Sequence, residues 1–200
     1  MRVSVRKPVD AARDLYYNGA EQYAGGIIME VRDENGLTER AFLAAYKDKH
    51  YPAPYLTADV VLLSEGRDVL LIRRKGHPYL GCWALPGGFV NPDESAAEGA
   101  LRELMEETNV TGFTEDDIYE IGLFSKPGRD PRGWIVSDAF LVPVDRRKIA
   151  FRSGDDAADA AWITVTREGG SLRFPEGVAL AFDHADVLKK AFALYDRIRG

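Results

Sequence analysis

The segment that most constrains the fold is Arg102-Glu103-Leu104-Met105-Glu106-Glu107, which follows the glycine turn Leu85-Pro86-Gly87-Gly88. At about 100° per residue on a helix, Glu103, Glu106 and Glu107 share an arc of about 100°, where like charges at i,i+3 and i,i+4 repel. A helix carrying them expects a positive partner on that face. Clustered hard oxygen donors suit Mg²⁺ or Mn²⁺, which take a few carboxylates together with phosphate oxygens of a substrate. The opposite face, with Ala97, Ala100, Leu101, Leu104 and Met105, is apolar and is expected to pack into a core. The helix is expected to begin at a capping box of Ser95 and Glu98, with Asp93 and Glu94 near the positive end of its dipole. It is expected to stop at Asn109, because asparagine tolerates the left-handed conformation found just past a helix end.

As one pattern, Gly88 to Val110 resembles the signature of the Nudix hydrolases: a Gly, five residues, a Glu, seven residues, then Arg-Glu-apolar-any-Glu-Glu-any-Gly-apolar. Gly88, Glu94, Arg102, Glu103, Leu104, Glu106, Glu107 and Val110 match, and Asn109 stands where the family has Gly. A run of charge is usually a solvated helix face, but matches at this many fixed offsets behind a glycine loop displace that explanation. The resemblance implies an α/β fold, an alpha/beta/alpha sandwich with a mixed sheet over residues 52–200, preceded by an N-terminal extension, 1–51. It also implies metal-dependent hydrolysis of a nucleoside diphosphate linked to another group.

On the same ground, Glu106 and Glu107 are expected to be direct ligands of Mg²⁺ or Mn²⁺, with Glu103 completing the set. Arg102 would orient the glutamates through charge-assisted hydrogen bonds, so that Arg102, Glu103 and Glu106 form the catalytic group. Glu94 is either an outer ligand of the metal or the partner of that arginine. Gly87 and Gly88 would leave backbone groups open, Gly87 to the metal and Gly88 to the substrate. A general base is also required, and it is either one of these glutamates or a loop carboxylate, with Asp155, Asp156 and Asp159 as candidates.

Composition narrows the field further. Two hundred residues suffice for one well-filled core. With 26 basic and 32 acidic residues the net charge is -6, which argues against a partner among nucleic acids or membrane surfaces. No apolar run reaches membrane-spanning length and the first residues lack the apolar stretch of a signal peptide, so a cytoplasmic location is expected. The single cysteine, Cys82, excludes an internal disulfide and is read as a packing residue beside Trp83.

Along the chain the pattern breaks at Tyr51-Pro52-Ala53-Pro54. Before it, a strand at 25–31, a turn at Asn35-Gly36 and a helix from Thr38 to Tyr46 are predicted. After it, strands are predicted at 56–63, 69–73, 118–124, 134–142 and 160–165, with a last helix at 178–198. There Phe182, Ala185, Leu188, Phe192 and Tyr195 recur at helical spacing and are expected in the core.

Phe124-Ser125-Lys126-Pro127-Gly128-Arg129-Asp130-Pro131-Arg132-Gly133 sets two arginines in a tight loop before a strand. A turn stabilised by Asp130 is the plain explanation. The run from Arg129 to Gly133 is also similar to the corresponding stretch of some ADP-ribose pyrophosphatases and of related regulators, and Pro127 lies where such enzymes tend to have a proline. Arg74, in Arg73-Arg74-Lys75-Gly76-His77-Pro78, and the segment around His184 strengthen that kinship, although lone histidines such as His77 and His184 are more often turn or packing residues. The resemblance therefore implies ADP-ribose cleaved to AMP and ribose 5-phosphate, with Arg129, Arg132, Arg74 and Gly88 on the substrate. Two alternatives remain: another Nudix substrate, such as an oxidised nucleoside triphosphate or a nucleotide sugar, and a sensor that binds ADP-ribose and regulates transcription. Such regulators carry a winged-helix domain after the Nudix fold, and the residues beyond Trp162 are expected to be used by the final helix, so no DNA partner is expected. A homodimer using residues 1–51 is expected from the same kinship.

Overall fold

A strand buried on both faces needs cover on both sides, and residues 57–64 are buried along their whole length. The computed structural model describes residues 21–24, 27–30, 32–47, 52–152 and 157–200. The chain divides into two compact units, Met1–Pro52 and Ala53–Gly200.

In the first unit, β1 (Glu21–Ala24) and β2 (Ile27–Glu30) form an antiparallel pair. The sequence suggested one strand here and missed its partner; Gly25 and Gly26 lie outside the described residues. Asp33 accepts the N–H groups of Asn35 and Leu37, both at 2.9 Å, which closes the turn at Gly36. Helix α1 (Glu39–Lys47) follows, with the Thr38 hydroxyl accepting the Ala41 N–H at 3.2 Å.

The second unit is built on a seven-stranded mixed sheet. Its centre is β3 (Tyr55–Ser64), flanked by β4 (Asp68–Arg74). Beyond β4 lie β5 (Trp83–Ala84) and, also paired to β4, β9 (Ala157–Thr164). On the other side, β8 (Ile135–Val144) runs parallel to β3 from Tyr55 opposite Ile135 to Ser64 opposite Val144, and β7 (Tyr119–Phe124) forms the far edge. The short β6 (Gly87–Phe89) pairs with the first half of β3, placing Gly87 opposite Asp59 and Gly88 opposite Ala58.

Side chains alternate along β3, as a strand requires. Ala58, Val60 and Leu62 pack with Ala100 and Leu104 of α2 (Ala96–Thr108). Val61 and Leu63 pack with Val187, Leu188 and Phe192 of α3 (His184–Arg199). Helices therefore cover both faces of the sheet. A small hairpin of β10 (Thr166–Glu168) and β11 (Ser171–Arg173), absent from the sequence expectations, precedes α3.

Helix α2 has the ends its sequence prescribes. The Ser95 hydroxyl accepts the Glu98 N–H at 3.0 Å and Glu98 accepts the Ser95 N–H at 2.7 Å. Asn109 closes the helix at φ 56 and ψ 18, its N–H donating to the Met105 carbonyl at 2.8 Å. Replacing Asn109 with Gly should therefore leave stability unchanged or slightly higher, because the side-chain bond to the Arg152 carbonyl is a long 3.4 Å. Valine there should cost about 1 kcal/mol or more, since a β-branched side chain resists the left-handed region. Thermal melts of the two variants check this, and a Val variant melting with the wild type would refute it. Met105 departs from expectation: the buried stripe runs through Ala100, Leu104 and Thr108, and Met105 beside it is 45% exposed.

Helix α3 begins at His184, six residues later than predicted. Residues before it run extended beside β5, with the Trp83 N–H donating to Ala179 and the Ala181 N–H donating to Trp83, both at 2.8 Å. Phe182 then turns left-handed, at φ 49. Its helical spacing was coincidental, and Phe182 is not part of the α3 core; Ala185 is exposed.

Candidate active site

Arg102 organises the glutamates of α2. Its Nε and Nη2 grip Glu94 at 3.0 and 2.8 Å, its Nη1 donates to Glu103 at 2.8 Å and to Glu106 at 3.2 Å, and Nη2 also donates to the Phe89 carbonyl at 2.9 Å. A planar fork of donors makes this possible, as an ammonium could not. Glu94 is thus the arginine's partner, one of the two roles open to it. Hydrogen bonds from Arg102, and then from the Asn91 backbone, pull its carboxyl down to about 2. The same pairing raises the Arg102 guanidinium above its ordinary value, keeping it charged. Gly99 lets Glu94 approach: a Cβ there would lie 3.1 Å from its Oε1.

The glycine turn is fitted against this cluster. A Cβ on Gly88 would overlap the Glu103 carboxylate, and one on Gly87 would overlap the Ala58 carbonyl of β3. The Gly87 N–H donates to Glu107 at 3.0 Å. Glu107 is half-buried, and burial, followed by the negative Glu103 and Asp59, pushes its carboxyl up to about 8 against the Gly87 hydrogen bond and the pull of Arg74.

Among the described residues, no three His, Cys, Asp or Glu side chains stand as a ready metal-holding group. The fork of Arg102 binds Glu94, Glu103 and Glu106 instead. The donor set nevertheless fits a hard divalent cation: it consists of carboxylate oxygens, and the negative charge of Glu103 and Asp59 beside Glu107 is what such an ion would relieve.

A pocket opens beside the turn. Gly87, Gly88 and Phe89 of β6, Thr57 and Asp59 of β3, Arg129 and Arg132 of the loop before β8, and Phe182 and His184 at the start of α3 line it. Arg132 lies between two rings, its guanidinium carbon 5.1 Å from the Phe89 centroid and 5.5 Å from that of Phe182. It also grips Asp130, which is buried and accepts the Arg132 N–H at 2.9 Å, so Asp130 does stabilise the turn. Arg129 is buried and donates twice to Asp183, at 2.9 and 2.6 Å, latching the loop to the start of α3. Arg74 donates to the Pro78 carbonyl and faces Phe182 at 5.1 Å.

Other candidates lie elsewhere. Asp155 and Asp156 fall outside the described residues, and Asp159 is exposed on β9, accepting the N–H of Ala160. His77 is exposed in the loop between β4 and β5. The sequence reading gave no site role to Asp59, Phe89 or Asp183 and placed Phe182 in the core. Asp59 had left a signal, a carboxylate in the otherwise apolar run of β3.

A family model described as the NUDIX domain matches residues 53–177. Over 164 residues the chain is 34% identical to the "ADPR responsive transcriptional repressor NtrR" of Acinetobacter baylyi, covering 80% of this chain and 61% of the repressor. It is 35% identical over 143 residues to the "ADP-ribose pyrophosphatase" of Methanocaldococcus jannaschii, covering 72% of this chain and 76% of that one. Its structure is similar to that of the NUDIX domain of Shewanella oneidensis NrtR complexed with ADP ribose, with a TM-score of 0.63, 30% identity, and coverage of 80% of this chain and 99% of that domain.

One expectation is overturned by these relatives. A nucleic-acid partner had been excluded on net charge and on the use of the last residues by α3. A. baylyi NtrR is a transcriptional repressor, and S. oneidensis NrtR, 30% identical with a TM-score of 0.52, has been seen complexed with a 27mer DNA, the match covering 71% of this chain and 62% of that one. Net charge is a sum over a whole surface, whereas DNA is met by a local cluster of cations, so the sum of -6 does not support the exclusion. Among the described residues no helix is long and apolar enough to cross a membrane. From the glutamate helix and glycine turn to the domain match over most of its length, the chain belongs to the Nudix family.

Proposed function

We propose that this protein is a pyrophosphohydrolase acting on a nucleoside diphosphate linked to another group, with ADP-ribose, split by water into AMP and ribose 5-phosphate, as its substrate. The observation that carries the reading is the convergence of Glu94, Glu103 and Glu106 on Arg102, with Glu103 and Glu107 set against the Gly87–Gly88 turn, beside a pocket lined by arginine and aromatic side chains. The similarity to an ADP-ribose pyrophosphatase and to an ADP-ribose-bound NUDIX domain supports the choice of substrate.

Glu103, Glu106, Glu107 and the Gly87 backbone are the groups that would hold Mg²⁺ or Mn²⁺. When bound, such ions neutralise charge on a pyrophosphate and make a bound water a usable nucleophile. Arg102 orients Glu103 and Glu106 and keeps Glu94 ionised. Phe89 and Phe182 hold the Arg132 guanidinium between their rings, and Arg132, paired with the buried Asp130 yet partly exposed, brings positive charge to the pocket wall.

AMP release from a panel of ADP-ribose, other nucleotide sugars and oxidised nucleoside triphosphates, with Mg²⁺ and with Mn²⁺, tests the assignment. Preference for any other member of the panel overturns the choice of ADP-ribose. A second reading, an ADP-ribose-responsive regulator, is favoured by the 34% identity to the A. baylyi repressor. Tight ADP-ribose binding with no AMP release would select it.

The two loop arginines should separate in the same assay. Arg132→Ala should raise the Michaelis constant for ADP-ribose by about tenfold and also lower the melting temperature, because it leaves the buried Asp130 without its guanidinium partner. Arg129→Ala should destabilise the fold by about 2 kcal/mol, because it leaves Asp183 without its buried partner. An unchanged Michaelis constant in the folded fraction of Arg132→Ala would make Arg132 a loop-holding residue alone.

A further inference from the structure

His184 is 4% exposed, and its Nδ1 accepts the Leu85 N–H at 3.0 Å. The ring proton of the neutral imidazole therefore sits on Nε2. Burial holds this ring below its ordinary pKa, so it is neutral. The acceptor that Nε2 faces is Asp59 Oδ1, at 3.9 Å, beyond hydrogen-bond range. Asp59 is 7% exposed and binds the Ser137 hydroxyl through its other oxygen, Oδ2. Neither His184 Nε2 nor Asp59 Oδ1 belongs to the sealed, unpaired side-chain atoms, which among the described residues are Arg67 Nη1, Asp138 Oδ1 and Tyr195 OH. Both residues line the pocket. A donor and an acceptor thus stand 3.9 Å apart, unpaired with each other and open to the same space.

That gap is one an oxygen atom can bridge, lying about 2.8 Å from each side. The bridging group must accept from Nε2–H and donate to Oδ1. A phosphate oxygen has no proton to give and would meet the charge of Asp59. An ammonium or amide nitrogen has no lone pair for Nε2–H. An alcohol satisfies both.

We propose that His184 Nε2–H and Asp59 Oδ1 form a hydroxyl-recognition subsite on the floor of the pocket, taking one ribose hydroxyl of the nucleoside diphosphate substrate. The choice of a ribose rests on the substrate class proposed above. An ordered water offers the same chemistry, and the experiment separates the two.

Calorimetric binding by the full chain, in chelator so that turnover plays no part, would compare ADP-ribose with analogues lacking one hydroxyl at a time on either ribose. One analogue should bind about tenfold or more weakly than ADP-ribose, since its loss leaves a buried donor and acceptor unpaired. In His184→Asn that gap should vanish. Asparagine keeps an acceptor near the Nδ1 position for Leu85 and lacks the Nε2 donor. Asp59→Ala should likewise erase the difference, and melting temperatures identify a variant that fails to fold, in which case the other decides. If every analogue binds like ADP-ribose, or if the gap survives in a folded His184→Asn, a water fills the subsite and the proposal is overturned. If the wild type binds no ADP-ribose, the substrate reading falls by itself, and the same comparison between ADP and its deoxy counterparts decides the subsite.

Discussion

Glu107→Gln should lower turnover by about two orders of magnitude or more while leaving a folded protein that is at least as stable as the wild type at neutral pH. The two effects have one cause. The Glu107 carboxyl is pushed up to about 8, first by burial and then by Glu103 and Asp59, from an ordinary value of 4.5. A folded state that holds a proton more tightly than the unfolded chain loses stability as pH rises from the unfolded value through the folded one. In chelator, wild-type stability should therefore fall between about pH 4.5 and about 8, and glutamine, which cannot ionise, should remove this contribution. Glutamine also keeps an oxygen to accept the Gly87 N–H, now at 3.0 Å. The price is function, because a charged oxygen donor is lost where a cation is needed. Glu106→Gln should be equally inactive with an unchanged melt, since its side chain is 52% exposed and held only by Arg102 at 3.2 Å. Melts across pH with chelator, beside turnover with Mg²⁺, measure both halves. Near-wild-type turnover in either variant would remove that residue from the proposed metal site.

How much of this was legible in the sequence depended on the range of the interaction. The capping box of Ser95 and Glu98 and the left-handed Asn109 involve residues three or four apart, and they stand as read. Strands β3, β4 and β8 were placed within a residue or two because apolar runs mark strands buried on both faces. The start of α3 was misplaced because Phe182 continues the helical spacing of Leu188, Phe192 and Tyr195, whereas the backbone bonds between Trp83 and residues 179 and 181 decide the local structure. Those bonds join segments almost a hundred positions apart. Arg129 was read as a substrate cation and does line the pocket, while its pairing with Asp183 is visible only in the fold. Asp59 was the missed residue with the plainest clue, since a carboxylate in a buried strand needs a reason.

The adjacent glycines of the turn should respond to the same substitution in opposite ways. A Cβ at Gly87 would overlap the Ala58 carbonyl and come within 2.8 Å of the Asp59 Cα, both main-chain atoms of the central strand. Neither can retreat without parting β6 from β3, so Gly87→Ala should cost about 2–3 kcal/mol. At Gly88 the new methyl would first meet the Glu103 carboxylate, the far end of a side chain that can swing aside. Gly88→Ala should therefore fold with a loss of about 1 kcal/mol or less, as substitutions outside rigid packing do. Its defect should appear in turnover, lowered about tenfold to a hundredfold, because a displaced Glu103 leaves the 2.8 Å bond to Arg102 and its place in the glutamate set. Chemical denaturation of both variants together with turnover on ADP-ribose would separate the two effects. If Gly88→Ala loses stability without losing turnover relative to the folded fraction, Glu103 is a packing residue and the turn serves the fold alone. If it keeps its stability and loses turnover, the missing side chain at Gly88 exists to let a carboxylate sit where the chemistry needs it.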